Sequence, residues 1–319
     1  MKNFPFKEIA KRALNFTYAH KWLMPLGLFI LGQGSADAWA IIFDQSSMVS
    51  FMPAVPENPA MVADFIALHG EKIAGLLLLG IAGAIFYLIV GAISESAVLD
   101  TVVKDGVDKK LNLRKSIRSA EHYAMRVFGL RLANAALIVL ALALLATPIF
   151  ILFSKGYEQK ALVLSVIGLL IFIPFSFFVS FVFHYAVNFV VQGRMRLKPA
   201  IAAGTDLAAK YWLLSLAQTL WSILLYTLAS IAFALAVSVA GLFLKGLVFL
   251  ADKIFTVSLG ILSDVVGLVL LAIVGLAFAA VVSVWESTFW AYTWQELVRR
   301  EKSEQKTAEE IEAVPEVSK

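Results

Sequence analysis

The feature that most constrains this 319-residue chain is the exclusion of charge from six long apolar segments. All 27 Lys and Arg residues lie outside these segments, and of the 23 acidic residues only Glu95 and Glu286 lie inside them. An ion in hydrocarbon costs roughly 3 kcal/mol even on lenient insertion scales, so a chain with this pattern is solvated by lipid. The sequence therefore predicts an all-α, polytopic membrane bundle, and the two retained carboxylates indicate a candidate site.

About 20 apolar residues cross a bilayer as a helix. We expect six spans, over residues 22–36, 73–98, 132–153, 161–191, 211–241 and 265–294. The first is the shortest, and the Ala36-Asp37-Ala38 sequence that follows it resembles a signal-peptidase site. The long basic region before it, which contains Glu8, favours an uncleaved span instead.

Basic residues are distributed unevenly between the segments that connect the spans. Of the 27 Lys and Arg residues, 22 fall in residues 1–21, 100–131, 192–210 and 296–319. Residues 35–71, by contrast, contain five acidic residues and no Lys or Arg. The positive-inside rule then places both termini in the cytoplasm, and we expect the cytoplasmic (inner) membrane of a prokaryote.

An internal repeat is visible at an offset of 84 residues. Residues 113–134 match residues 197–218 without a gap, and each copy is a basic amphipathic stretch that leads into a span. A run of matches at one fixed offset is typical of repeats. We expect three units, each an amphipathic helix plus a helical hairpin, at about residues 4–105, 106–193 and 194–298.

The repeats predict one six-span membrane domain over residues 1–298, followed by a tail. The amphipathic helices carry Lys and Arg on one face, which suits the cytoplasmic membrane surface. They serve either as structural shelves under the hairpins or as lipid contacts. Residues 299–319 alternate in charge and contain few apolar side chains, so we predict a disordered cytoplasmic tail there.

The candidate site is an intramembrane polar cluster. Glu95, His184 and Glu286 align at equivalent depth near the cytoplasmic ends of the even-numbered spans. Three interpretations compete: structural pairing, a proton or cation relay, and a site for a divalent metal. The side chains that could pair with the cluster or bond between spans are Arg126, Arg131, Lys210, Asn134, Gln218 and Asn188.

The sequence contains no motif of a known reaction. With no Cys, it has no disulfide, thiolate metal site or cysteine nucleophile. It also lacks a Ser-His-Asp order, a His-Glu-x-x-His sequence and a Walker motif. We therefore expect no enzyme activity, no cofactor, no resident metal and no nucleic-acid partner.

The last span ends in an aromatic-rich sequence, Phe289-Trp290-Ala291-Tyr292, followed by Gln295-Glu296-Leu297. Together with six spans and amphipathic entry helices, this exit resembles a loose group of uncharacterised bacterial membrane proteins. The group includes the membrane domain fused to some glycerophosphodiester phosphodiesterases. The phosphodiesterase domain has no counterpart here, so its activity does not carry over, and the resemblance implies a prokaryotic cytoplasmic membrane and little more.

Two functions from different classes remain. The first is a non-catalytic protein that scaffolds partners or organises lipid, with the bilayer, another membrane protein or a second copy of the chain as partner. The second is a small transporter or permease with Glu95, His184 and Glu286 along its path. A continuous polar path to Gln33 favours transport, and a sealed bundle with paired carboxylates favours the scaffold.

Overall fold

The computed structural model describes residues 4–30, 59–105, 112–255 and 260–312. These residues are helical, with no strand among them. In chain order the helices are α1 (Phe6–Ala19), a 3-10 turn (Lys21–Leu23), α2 (Met24–Ile30), α3 (Pro59–Lys104), α4 (Leu113–Ser154), α5 (Glu158–Val191), α6 (Leu197–Lys210), α7 (Trp212–Phe255) and α8 (Gly260–Glu312).

Five of these helices, α3, α4, α5, α7 and α8, are long and apolar enough to cross a membrane. The prediction of an all-α membrane protein is confirmed at this level. For the predicted first span, the described part is the short apolar helix Lys21–Ile30. The rest of that span, Gln33 and the Ala36-Asp37-Ala38 sequence lie outside the described residues, so five spans are shown and the sixth is not.

The predicted repeat is not confirmed, because its two copies differ in fold. The segment 197–218 follows the prediction, because α6 ends at Lys210 and Tyr211 breaks the helix before α7 begins. The segment 113–134 does not, since it lies within the continuous 42-residue helix α4. Side-chain hydrogen bonds from α3 to Ser116 and Ser119 hold the first turns of α4 against the bundle. That stretch is therefore the lower part of a long helix rather than a separate surface helix.

The protein core lies at one end of the helices. Buried apolar side chains concentrate in the C-terminal parts of α3 and α5, the N-terminal part of α4, and α6 and α8. Large apolar side chains in the other halves of these helices are exposed, such as Leu79, Phe150 and Leu170. Lipid tails are as apolar as these side chains, so lipid rather than protein packing accommodates the exposed halves.

The N-terminal helix and the last helix meet at this packed end. The indole N–H of Trp285 in α8 donates to the Ala10 carbonyl in α1 at 3.3 Å, and the Arg12 guanidinium lies 4.2 Å from the Tyr292 ring centroid. His20, just after α1, lies 3.8 Å from Asp105 at the end of α3. The described parts of two predicted basic segments, residues 1–21 and 100–131, therefore meet at the packed end.

The segment after residue 299 differs from the predicted disordered tail. Helix α8 continues to Glu312, and residues 313–319 lie outside the described part. Two ion pairs support the extension: Arg300 contacts Glu296 at 3.0 Å one turn earlier, and Lys210 contacts Glu304 at 2.9 Å. The Glu304 carboxylate also raises the pKa of Lys210. Because the tail prolongs an existing helix, it avoids the cost of helix nucleation, which composition alone does not reveal.

Candidate functional site

A small polar cavity lies at the packed end of the bundle, and we call it the polar centre. Its volume is about 10 Å³, counted for the centre of a water molecule, which is close to the space that one water needs. It is lined by Ile30, Glu95, Leu99, Arg131, His184, Asn188, Ser283, Glu286, Ser287 and Trp290. Helices α2, α3, α4, α5 and α8 therefore all contribute to one small site.

Three of the lining residues reach this depth because their helices run in the same direction. Helices α3, α5 and α8 all approach the packed end with their C-terminal parts, which carry Glu95, His184 and Glu286. All three side chains line the same cavity. The structure thus brings together the three members of the predicted cluster.

Glu95 is held by Arg131 on the neighbouring helix α4. The guanidinium donates from Nε to one carboxylate oxygen at 2.9 Å and from a terminal nitrogen to the other. Both residues are only 4% exposed. A bidentate arginine–carboxylate pair is strong and geometrically specific, and the positive charge of the guanidinium compensates the negative charge of the carboxylate. The pair therefore joins α3 to α4 within the apolar end of the bundle.

Glu286 has a hydroxyl partner from α7. The phenolic O–H of Tyr226 donates to a Glu286 carboxylate oxygen at 2.7 Å. Glu286 is buried, and Tyr226 is half-buried. A hydrogen bond to a charged acceptor contributes more than one between neutral groups. This contact ties α7, which is otherwise largely exposed, to the polar centre.

The imidazole of His184 packs on an aromatic ring. It stacks on Trp290 of α8, with ring centroids 4.7 Å apart and an interplanar angle of 7°. The side-chain amide of Asn188 donates to the His184 carbonyl at 2.9 Å, one turn along α5. The amide oxygen of Asn188 accepts from Gln192 at 2.6 Å, and Gln192 in turn accepts from Gln295 of α8 at 2.8 Å. These contacts fix α5 against α8.

The remaining predicted partners do not line the polar centre. Lys210 pairs with Glu304 instead, and half-buried Arg126 forms no ion pair with any described carboxylate. The buried side-chain oxygen of Asn134 has no hydrogen-bond partner in the described part of the chain, and neither polar atom of the buried Gln218 side chain has one. Asn134 and Gln218 occupy matching positions in the predicted repeat, but they do not share a hydrogen-bond partner in the described part of the chain.

Sequence reasoning missed several contributors to the polar centre. Tyr226 lies within an apolar span and gives no charge signal, although a phenol in such a segment calls for a hydrogen-bond partner. Trp290 is part of the aromatic-rich exit of the last span, which supports the resemblance but does not predict a site residue. Ser283 and Ser287 lie one turn apart beside Glu286, a spacing that places them on one helix face.

The arrangement limits the chemistry that the site can perform. Within the described ranges, no group of three or more His, Cys, Asp or Glu side chains is placed to hold a metal ion. The acid–base groups surround space for about one water, and the principal cation, Arg131, is bound to a carboxylate. No family model, curated protein or solved structure matches the chain.

Proposed function

We propose that this chain is a non-catalytic integral membrane protein that organises lipid or scaffolds partners. The observation that carries the proposal is the small size of the polar centre, in which Arg131 neutralises Glu95 beside a cavity of about 10 Å³. A site for a solute needs space and access to water, whereas this one has room for about one water molecule. The polar groups are then best explained as ties between helices.

The exposed halves of the spanning helices support the lipid-related part of the proposal. Leucine, isoleucine, valine and phenylalanine side chains there present apolar surface beyond the packed end. Small-residue contacts hold the packed end together, where the Cβ of a residue replacing Gly204 would lie 2.7 Å from the Val182 carbonyl oxygen. The molecule thus combines a rigid base with helices that extend into lipid.

Location and orientation form part of the same proposal. The basic segments and the contacts between α1 and α8 lie at one end, and the positive-inside rule assigns that end to the cytoplasm. Both termini are then cytoplasmic, in the cytoplasmic membrane of a prokaryote. The resemblance to uncharacterised six-span bacterial proteins agrees with this location.

The second candidate is a proton-coupled transporter, and one observation favours it. Glu95, His184 and Glu286 converge around space for a water molecule, which is the arrangement of a proton relay. The Glu95–Arg131 pair opposes this function, because the guanidinium already occupies both carboxylate oxygens that a relay would use.

Proton flux separates the two functions. The purified protein is reconstituted into vesicles that contain a pH-sensitive dye, and a pH gradient is imposed across the membrane. We expect the gradient to decay at the rate of protein-free vesicles, and a protonophore added at the end shows that a gradient was present. Faster decay with the wild-type protein, abolished by Glu95→Gln without a change in melting temperature, would refute the non-catalytic function.

A further inference from the structure

A larger groove lies beside the polar centre, between α1, α7 and α8, with a volume of about 480 Å³. We call it the basic groove. The side chains used in the argument are Lys7, Lys11, Leu14, Trp221, Leu225 and Trp285. Apart from the two lysines and Tyr226, its lining residues are apolar. The volume lies in the range of about 300–1,000 Å³ that is typical of ligand sites.

Helix α1 presents one regular stripe to this groove. Lys7, Ala10, Lys11 and Leu14 follow the i, i+3, i+4, i+7 spacing of a single helical face. The adjacent face, which includes Ile9, is buried against the rest of the protein. The groove is therefore a consequence of how α1 docks, with its lysine-bearing stripe turned toward the spans α7 and α8.

The two ammonium groups are available to an external anion. Lys7 and Lys11 are exposed and lie one helical turn apart, so their side chains emerge from the same face. Neither forms an ion pair with a carboxylate in the described ranges. Glu8 is adjacent to Lys7 in sequence, but residues one position apart do not face each other on a helix.

The exposed lining of the groove is almost wholly apolar, and two exposed lysines accompany it, so the combination calls for one amphiphilic ligand. A soluble anion leaves the apolar wall uncovered, and a neutral hydrocarbon makes no use of the lysines. A phospholipid with an anionic headgroup satisfies both, because basic side chains on a surface helix attract anionic lipid while the acyl chain lies along apolar side chains. The half-exposed Trp221 suits the boundary between headgroup and hydrocarbon.

We propose that the basic groove binds one anionic phospholipid. Its headgroup phosphate contacts Lys7 and Lys11, and an acyl chain lies between Leu225 and Trp285. This inference rests on the proposed lipid-organising function and names the lipid class and the site. It goes beyond the function because a scaffold needs no lipid-specific groove.

Native mass spectrometry of the full-length protein in a non-ionic detergent tests the charge requirement. Phosphatidylglycerol and phosphatidylcholine with identical acyl chains are titrated, and the lipid-bound fraction is measured. We expect one phosphatidylglycerol to be retained in preference to phosphatidylcholine. Replacing Lys7 and Lys11 together by Gln should weaken phosphatidylglycerol binding about thirtyfold, since each basic side chain near anionic lipid contributes about fivefold. The matched control replaces exposed Arg196 and Lys198 by Gln at the start of α6 and should leave binding unchanged.

A second pair of variants tests the apolar part. Ala229→Trp fills the groove wall on α7 and should abolish lipid retention, whereas Ala236→Trp, at an exposed position two turns further along the same helix, should not. Equal retention of the two lipids, an unchanged affinity in the lysine variant, or an unaffected Ala229→Trp variant would each overturn the proposal. So would a dimer in the spectra that Ala229→Trp converts to a monomer, because the groove would then hold a second copy of the chain. These measurements involve no proton flux, so a negative result here does not refute the non-catalytic function. A flux result that refutes the non-catalytic function likewise does not refute lipid binding in the groove.

Discussion

Arg131 of α4 donates hydrogen bonds to both carboxylate oxygens of Glu95 in α3, and the two residues are each 4% exposed. Moving either charge alone out of water is costly, and their mutual attraction offsets that cost only in good geometry. The pair is therefore a specific link between two helices, and loss of either member leaves an uncompensated charge. This relationship makes the polar centre testable through protein stability.

The first prediction concerns the carboxylate. Glu95→Gln leaves the Arg131 guanidinium buried without a counter-charge and should lower the free energy of unfolding by about 3 kcal/mol. Detergent melting or reversible unfolding in SDS measures the change. Glu121→Gln, at an exposed position on α4, serves as the control and should change stability by less than about 0.5 kcal/mol. Equal stability of the two variants would show that the buried pair is not a structural tie.

The second prediction concerns the link between α7 and the polar centre. Tyr226→Phe removes the 2.7 Å hydrogen bond to Glu286 and should cost about 1.5–3 kcal/mol, the usual contribution of a hydrogen bond to a charged group. The matched control is Tyr157→Phe, whose ring is 50% exposed at the start of α5. If the Tyr226→Phe protein had the same melting temperature as the wild type, the hydrogen bond between this phenol and Glu286 would not stabilise the protein.

The third prediction concerns the close approach of α6 to α5. A Cβ at Gly204 would lie 2.7 Å from the Val182 carbonyl oxygen and 3.0 Å from the Ala186 backbone nitrogen. Gly204→Ala should therefore force the helices apart and destabilise the protein by about 1–3 kcal/mol. Gly129→Ala provides the contrast, because it meets open space within a helix and should be neutral or stabilising by up to about 1 kcal/mol. The reverse order of stabilities would contradict the packing of α6 on α5.

The fourth prediction concerns orientation. Reporter fusions after Pro56, Gly156 and Ala251 should report the outer side, and fusions after Gly106, Gly193 and Lys306 the cytoplasm. The basic segments at the packed end motivate this assignment. Each fusion is made with two reporter enzymes, one active only outside the membrane and the other only in the cytoplasm, and their activities are compared. One inverted position would refute the topology.

Local composition was sufficient to predict five of the spans. Each span excludes charge along its own length, so neither packing nor topology is needed to recognise it. Sequence register predicted equal depth for Glu95, His184 and Glu286, but it left open whether their side chains converge, because convergence also depends on the rotation of each helix about its axis. Arg131 could be named only among three basic side chains, because choosing between them requires the rotation of α4 about its axis.

Features that depend on tertiary contact could not be predicted in this way. The segments 113–134 and 197–218 have similar sequences, yet the helix breaks at Tyr211 in the second and continues through the first as α4. In α4, hydrogen bonds hold Ser116 and Ser119 to α3. The basic groove requires α1 to dock beside α7 and α8. Its only local signal is the i, i+4 spacing of Lys7 and Lys11, which is equally typical of a solvated helix face.

A double-mutant cycle on Glu95 and Arg131 tests the central claim most directly. The free energies of unfolding of the wild type, Glu95→Gln, Arg131→Gln and the double variant are measured under identical conditions. If the pair is a structural tie, the double variant should be more stable than the two single losses predict, with a coupling energy of about 2–3 kcal/mol. A coupling energy near zero, with single variants as stable as the wild type, would contradict the account.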